Sequence, residues 1–241
     1  MNKNHVIKPA GADLLGQRVV VIGASYGVGP VVAETLSRVG AQVVTDAENI
    51  GDGAIFVADT GDVKSFFDNC QAKLGGIDVL IMSSRPVINK SVFDMTAQEM
   101  RGISEMELVL PALQMQEAAR RMVAAGYGRI IAFASMSAKT GVHHNVAPYA
   151  AAKGGLLAFT RVLAAETAAH GVTVNAIATA LFEPQVRLMT EEKRARLMKT
   201  VPVGRFGLSA EAAHAVLFLA SPAAGFVTGE CLNMSGGRFM D

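Results

Sequence analysis

The sequence predicts an α/β fold: a doubly wound parallel sheet of about seven strands, with helices on both faces. Three observations carry that prediction. Short apolar, β-branched runs alternate with helical patterns along the 241 residues. One such run, residues 19–22, leads into Gly23, Gly27 and Gly29 and then into a helical spacing of Val28, Val31, Val32 and Leu36. No linker, composition shift or fixed-period repeat divides the chain, so 1–241 is expected to be a single domain.

Taken in order, residues 1–17 read as a tail leading into the first strand. A second strand is expected at 42–45, ending near Asp46, and a third at 54–57. The eight residues between them cannot hold a full crossover helix, which normally takes a dozen or more, so this second crossover is shortened. Asp59-Thr60-Gly61-Asp62 starts a helix over 63–74, closed by Gly75-Gly76. A fourth strand follows at 77–82. Residues 99–125 read as one long helix or two abutting ones, with Gly102 and Pro111 interrupting the pattern. The fifth strand is placed at 130–133, an Ala-rich helix at 149–170 and the sixth strand at 172–177. A charged helix falls within 179–201, another helix at 210–219 and the seventh strand at 232–234. The stretch 179–200 is the expected substrate lid, because loops carry specificity in such folds.

Composition narrows the function. Net charge is +1, from 22 basic and 21 acidic residues, so neither a nucleic-acid footprint nor a polybasic membrane surface is expected. Cys70 and Cys231 make no disulfide framework or metal-ligand spacing. A reducing, cytoplasmic setting is the default, and no metal site is expected. The N-terminal residues lack the apolar stretch of a signal peptide, and no 18-residue apolar run suits a membrane span.

The glycine turn is the first chemical signal. A strand-to-helix bend with glycines lets backbone approach a pyrophosphate, and the helix N-terminus favours the anion. A purely structural turn is the alternative. The second signal is Tyr149 with Lys153, four apart and so on one helix face. A lysine beside a phenol favours the phenolate and lowers its pKa, which suits proton exchange with an alcohol or carbonyl oxygen. Ser135 closes the preceding strand, where it can polarise the same oxygen. A Tyr and a Lys at this spacing also arise by chance.

Together these stretches resemble the classical short-chain dehydrogenases/reductases. The resemblance runs through G-A-S-Y-G-V-G at 23–29, G-R-I-I-A-F-A-S at 128–135 and Y-A-A-A-K at 149–153. It continues through V-N-A-I-A at 174–178 and the segments from Pro202 to Gly237. It implies a Rossmann-type subunit that passes hydride between a nicotinamide cofactor and an alcohol or carbonyl, commonly as a homodimer or homotetramer. It implies Tyr149 as acid/base, Lys153 as its tuner and ribose contact, and Ser135 as the substrate-orienting hydroxyl. Ser137 is a rival for that last role, because the loop from Ser135 to Tyr149 is one residue longer than the family pattern. The implied cofactor-binding set is Gly23, Ser25, Tyr26, Gly27, Val28, Gly29, Asp46, Asp59, Thr60, Ser83, Lys153 and Thr179. Asn175 matches the family's structural asparagine.

Several positions depart from the family pattern. Met82-Ser83-Ser84-Arg85 stands where N-N-A-G is usual, placing a bulky cation beside the cofactor path. Glu107 falls at the helix asparagine of the proton relay. Thr179-Ala180 replaces a P-G pair. His143-His144-Asn145 line substrate access or are exposed loop residues. At the cofactor end, Asp46 favours a ribose 2′-OH over a 2′-phosphate, and Tyr26 stands where an arginine often helps, so NAD is preferred to NADP. Arg85, Glu107 and Arg187 are polar groups able to meet a charged substrate. Two other readings stay open: a non-redox, dehalogenase-like enzyme of the same fold, and a noncatalytic binding protein.

Overall fold

The computed structural model describes residues 13–50, 53–141, 143–187 and 189–240. Of the expected N-terminal tail, residues 1–12 lie outside that set. The strands are β1 (Arg18–Ile22), β2 (Gln42–Thr45), β3 (Ala54–Phe56), β4 (Val79–Met82), β5 (Gly128–Ser135), β6 (Val172–Thr179) and β7 (Cys231–Met234). The helices are α1 (Gly29–Arg38), α2 (Val63–Leu74), α3 (Ala97–Ser104), α4 (Leu110–Ala125), α5 (Ala147–Thr167), α6 (Glu183–Val186), α7 (Glu191–Met198) and α8 (Ser209–Ala220).

All seven strands are parallel, in the order β3-β2-β1-β4-β5-β6-β7. The order reverses between β1 and β4, whose last residues, Ile22 and Met82, are register partners. The chain therefore leaves these two strands in opposite directions and opens a crevice beyond their C-terminal ends, where open α/β sheets bind ligands.

Side-chain alternation assigns the two faces. Val19, Val21, Val79, Ile81, Ile131 and Phe133 pack in one core with Val32 and Leu36 of α1 and Val216 and Leu219 of α8. Val20, Ile22, Leu80, Met82 and Ile130 pack in the other with Phe67 and Cys70 of α2, Met115 and Met122 of α4, and Leu156 of α5. Each such large apolar side chain stabilises the fold by about 1.5–3 kcal/mol relative to exposure. Among the described residues no helix joins β2 to β3, as the short spacing requires. Ile55 and Phe56 are left 40% and 43% exposed on that edge.

The stretch read as one helix or two is α3 and α4 joined by a π-helical turn, Glu105–Val109. The Leu110 N–H reaches back five residues to the Glu105 carbonyl. Pro111 explains the irregularity. It has no N–H to offer the carbonyl four residues earlier, that of Glu107, so the regular ladder cannot run through. The turn packs closely on α5 because Gly155 has no Cβ, which would sit 3.0 Å from Leu108 Cδ2. This close approach brings Glu107 beside Lys153.

Candidate active site

The glycine turn needs its glycines for different reasons. Gly23 and Gly27 have φ of +77° and +62°, the left-handed region that glycine enters without steric cost. A Cβ on Gly29 would sit 2.5 Å from the Gly23 carbonyl oxygen, so α1 could not start there. Asp46 lies just past β2 and braces the turn. The Gly23 N–H donates to its Oδ2 at 2.8 Å and the Ala24 N–H to its Oδ1 at 3.1 Å. Val28 precedes α1 with no side-chain oxygen to cap the helix.

A cleft of ≈ 690 Å³ opens at the crevice, within the range usual for ligand sites. Gly23, Ser25, Tyr26, Asp46 and Asp59 line it, together with Glu107 and Tyr149. Its wall adds Ser84, Arg85, Pro86, Ile88, Ile103 and Met106. The occluded pocket that a noncatalytic protein would show is not what this chain presents.

Tyr149 and Lys153 share one face of the first turns of α5, and both are buried. Tyr149 is hydrogen-bonded to the side chain of Ser135, the last residue of β5. The Ser135 hydroxyl also accepts the Ser137 N–H at 3.1 Å, so Ser137 positions Ser135 through its backbone. Lys153 Nζ donates to the Phe133 carbonyl at 3.2 Å and pairs with Glu107 Oε2 at 3.0 Å. An ammonium has three N–H groups, so one donor remains.

The phenol of Tyr149 is held well above its ordinary value. Burial is the largest cause and the Glu107 carboxylate the next, with the Ser135 hydrogen bond opposing them. The lowering expected from Lys153 is not among the causes of this shift. Lys153 Nζ does lie 5.8 Å from the tyrosine ring centroid, but its charge is answered by Glu107.

The remaining candidates divide. Gly27, Val28 and Gly29 form the turn without lining the cleft. Ser83 and Lys153 instead border a small adjoining cavity of ≈ 10 Å³ with Arg85, Glu107 and Gln114. Within it Ser83 Oγ and Gln114 Oε1 are buried with no hydrogen-bond partner. Asp59 lines the cleft while its Oδ1 accepts the Gly61 N–H at 2.9 Å, whereas the exposed Thr60 hydroxyl bonds the Asp62 carbonyl. Thr179 ends β6 opposite Ser135, outside the cleft lining. Arg187 borders a separate hollow with Glu183 and Arg194. His143 packs edge-on against Phe239. Among the described residues, no group of three or more His, Cys, Asp or Glu is placed to hold a metal ion. Asn175 joins strand to loop, with Nδ2 donating to the Val227 carbonyl and Oδ1 accepting the Glu230 N–H. Sequence reading missed Ser84, Ile88, Glu99, Ile103 and Met106. Ile88 alone carried a signal, as an apolar residue standing in an otherwise polar connection.

A nicotinamide cofactor fits these residues. The left-handed turn and the uncapped helix start suit a pyrophosphate. Asp46 uses one lone pair on each oxygen for the turn and retains others for ribose hydroxyls. Ser83 Oγ and one Lys153 N–H await partners.

The profile of a family described as "Enoyl-(Acyl carrier protein) reductase" matches residues 23–238. The chain is 35% identical over 240 residues to the 3-oxoacyl-[acyl-carrier-protein] reductase of Salmonella typhimurium, covering 93% of this chain and 98% of that one. It is 34% identical to the Escherichia coli protein of that name over the same shares. Among solved structures, a putative short-chain alcohol dehydrogenase from Sinorhizobium meliloti superposes with a TM-score of 0.86 at 31% identity, covering 95% of this chain and 98% of that one. A short-chain type dehydrogenase/reductase from Mycobacterium marinum does so with a TM-score of 0.87 at 28% identity, with the same coverage. The chain belongs to the short-chain dehydrogenase/reductase family. It is an oxidoreductase that uses a nicotinamide cofactor on a small-molecule alcohol or carbonyl substrate. No helix among the described residues is long and apolar enough to cross a membrane.

Proposed function

We propose that Tyr149 is the acid/base of this oxidoreductase, with Ser135 orienting the reacting oxygen and Lys153 holding the nicotinamide ribose. One observation carries the reading: a buried Tyr149, hydrogen-bonded to Ser135 and one helical turn from Lys153, lines the same cleft as the glycine turn. When bound, the nicotinamide supplies or accepts the hydride. Gly23, Ser25, Tyr26 and Asp46 hold the adenosine end, with Asp59 beside the base and Ser83 and Thr179 toward the nicotinamide. Ser135 and Tyr149 aim two hydroxyls at one substrate oxygen, and the proton moves at Tyr149 Oη.

The cofactor favoured is NAD over NADP, because the Asp46 carboxylate stands where a 2′-phosphate would bring a second negative charge. The substrate class is a carbonyl with an apolar arm. Pro86, Ile88, Ile103 and Met106 offer that arm a wall, and the named relatives are 3-oxoacyl reductases. The segment 179–200 is the lid of this reading, since it leaves the C-terminal end of β6, the edge at which the cleft opens. The chain is one domain, with a second copy as its partner in a homodimer or homotetramer. Leu113, Val162 and Phe218 are 45–58% exposed and suit such a contact. Cys70 and Cys231 are both buried, in keeping with the cytoplasm.

The test is reduction of a panel of ketones and 3-oxoacyl thioesters with NADH and NADPH. Tyr149→Phe is expected to lower turnover by about 10²–10⁴-fold while leaving cofactor binding intact. Undiminished turnover in Tyr149→Phe would refute the assignment.

A further inference from the structure

We propose that Glu107, by engaging Lys153 where the cleft meets the small adjoining cavity, keeps Tyr149 a proton donor, so that reduction starts from the resting enzyme while oxidation waits on deprotonation of the phenol. The inference rests on Tyr149 being the acid/base of the reaction proposed above.

The geometry is a buried ion pair beside a buried phenol, with Lys153 Nζ 5.8 Å from the Tyr149 ring centroid. Glu107 Oε2 and Lys153 Nζ are 3.0 Å apart, with side chains only 8% and 4% exposed. Glu107 comes from the π-helical turn and Lys153 from α5. The other ionisable groups lining the cleft and its adjoining cavity are Tyr149 on α5, Tyr26 from the glycine turn, Arg85 from the connection after β4, Glu99 on α3, and Asp46 and Asp59 beyond β2 and β3. Among the described residues, the ion pair of Glu107 is the one with Lys153. A lone lysine would draw a phenolate. Paired with a carboxylate it presents little net field, and the carboxylate itself repels a phenolate. Burial of Tyr149 acts the same way. The phenol therefore keeps its proton through the neutral range.

A phenol can give a proton but cannot take one. In reduction, the hydride brings its electron pair to the carbonyl carbon and the C=O π pair moves to oxygen. That oxygen takes the proton of Tyr149, whose O–H pair stays on the phenolate. The phenolate, next to Glu107, regains a proton from solvent. Oxidation must start from the phenolate, the form this pair suppresses.

Tyr149 can be titrated directly in cofactor-free protein by ultraviolet difference absorbance. Subtracting the curve of Tyr149→Phe cancels Tyr26 and Tyr127. Glu107→Gln is expected to lower the Tyr149 midpoint by about one pH unit or more, and Glu107→Asp by less. The same substitution should move the rise of oxidation with pH, and the fall of reduction at high pH, downward by as much as the Tyr149 midpoint falls. An unmoved midpoint in folded Glu107→Gln overturns the proposal. The wild-type pH profile needs no variant: reduction should stay flat through the neutral range while oxidation climbs with pH. Oxidation already at its plateau at neutral pH also overturns it. Full activity in Tyr149→Phe would instead remove the reading beneath it, so the two failures are distinct.

Discussion

Two Lys–Glu pairs stand beside the cleft. Lys90 and Glu99 approach to 2.7 Å with side chains 36% and 38% exposed, while Lys153 and Glu107 are 3.0 Å apart and nearly sealed from water. The shorter contact is the lesser one energetically. Water and salt screen the outer pair, whereas neither partner of the inner pair can lose the other without leaving a buried charge. The outer pair serves local structure. Glu99 is held down to about 2, first by the Lys90 ammonium and then by the Thr96 N–H of the helix cap it completes. The inner pair acts on chemistry because its carboxylate reaches Tyr149.

The largest expected effect is therefore at Lys153. Lys153→Met should abolish turnover and destabilise the fold by about 3–5 kcal/mol in urea denaturation, because Glu107 is left unpaired. Adding Glu107→Leu should recover most of that stability and none of the activity. A double variant no more stable than the single one would break the comparison. A smaller effect is expected at Asp46. Asp46→Ala removes the acceptor of two turn N–H groups, at about 1–3 kcal/mol, and should narrow the NADH-to-NADPH affinity ratio. Lys90→Ala should change least. Glu99 titrates below its unfolded value, so its contribution is present at neutral pH and fades as pH falls toward the folded value. Melting curves of Lys90→Ala should match wild type closely at neutral pH, and more closely still in acid.

What could be read from sequence follows from where each signal resides. The strand β2 and the helix α2 fall where β-branching, the Asp62 cap and Gly75 place them. By contrast, β5 and β6 run on through Ala134-Ser135 and Ala178-Thr179, of which Thr179 alone has a strong strand preference, and are held there by pairing with each other. The π turn was visible only as a disturbance at Gly102 and Pro111. Tyr149 and Lys153 declare themselves by local spacing. The sign of their interaction does not, because the group that decides it, Glu107, arrives from the π-helical turn between α3 and α4, far back along the chain. Counting along that helix did put Glu107 at the relay position. Its ion pair with Lys153 is a product of tertiary packing over Gly155.

The central claim is that this cleft holds a nicotinamide cofactor with Arg85 in its wall. Calorimetric titration of the purified protein with NADH and, separately, NADPH tests it most directly. Saturable binding is predicted, tighter for NADH, with Asp46→Ala reducing the difference. Absence of binding by reduced and oxidised forms alike at millimolar concentration would contradict the account.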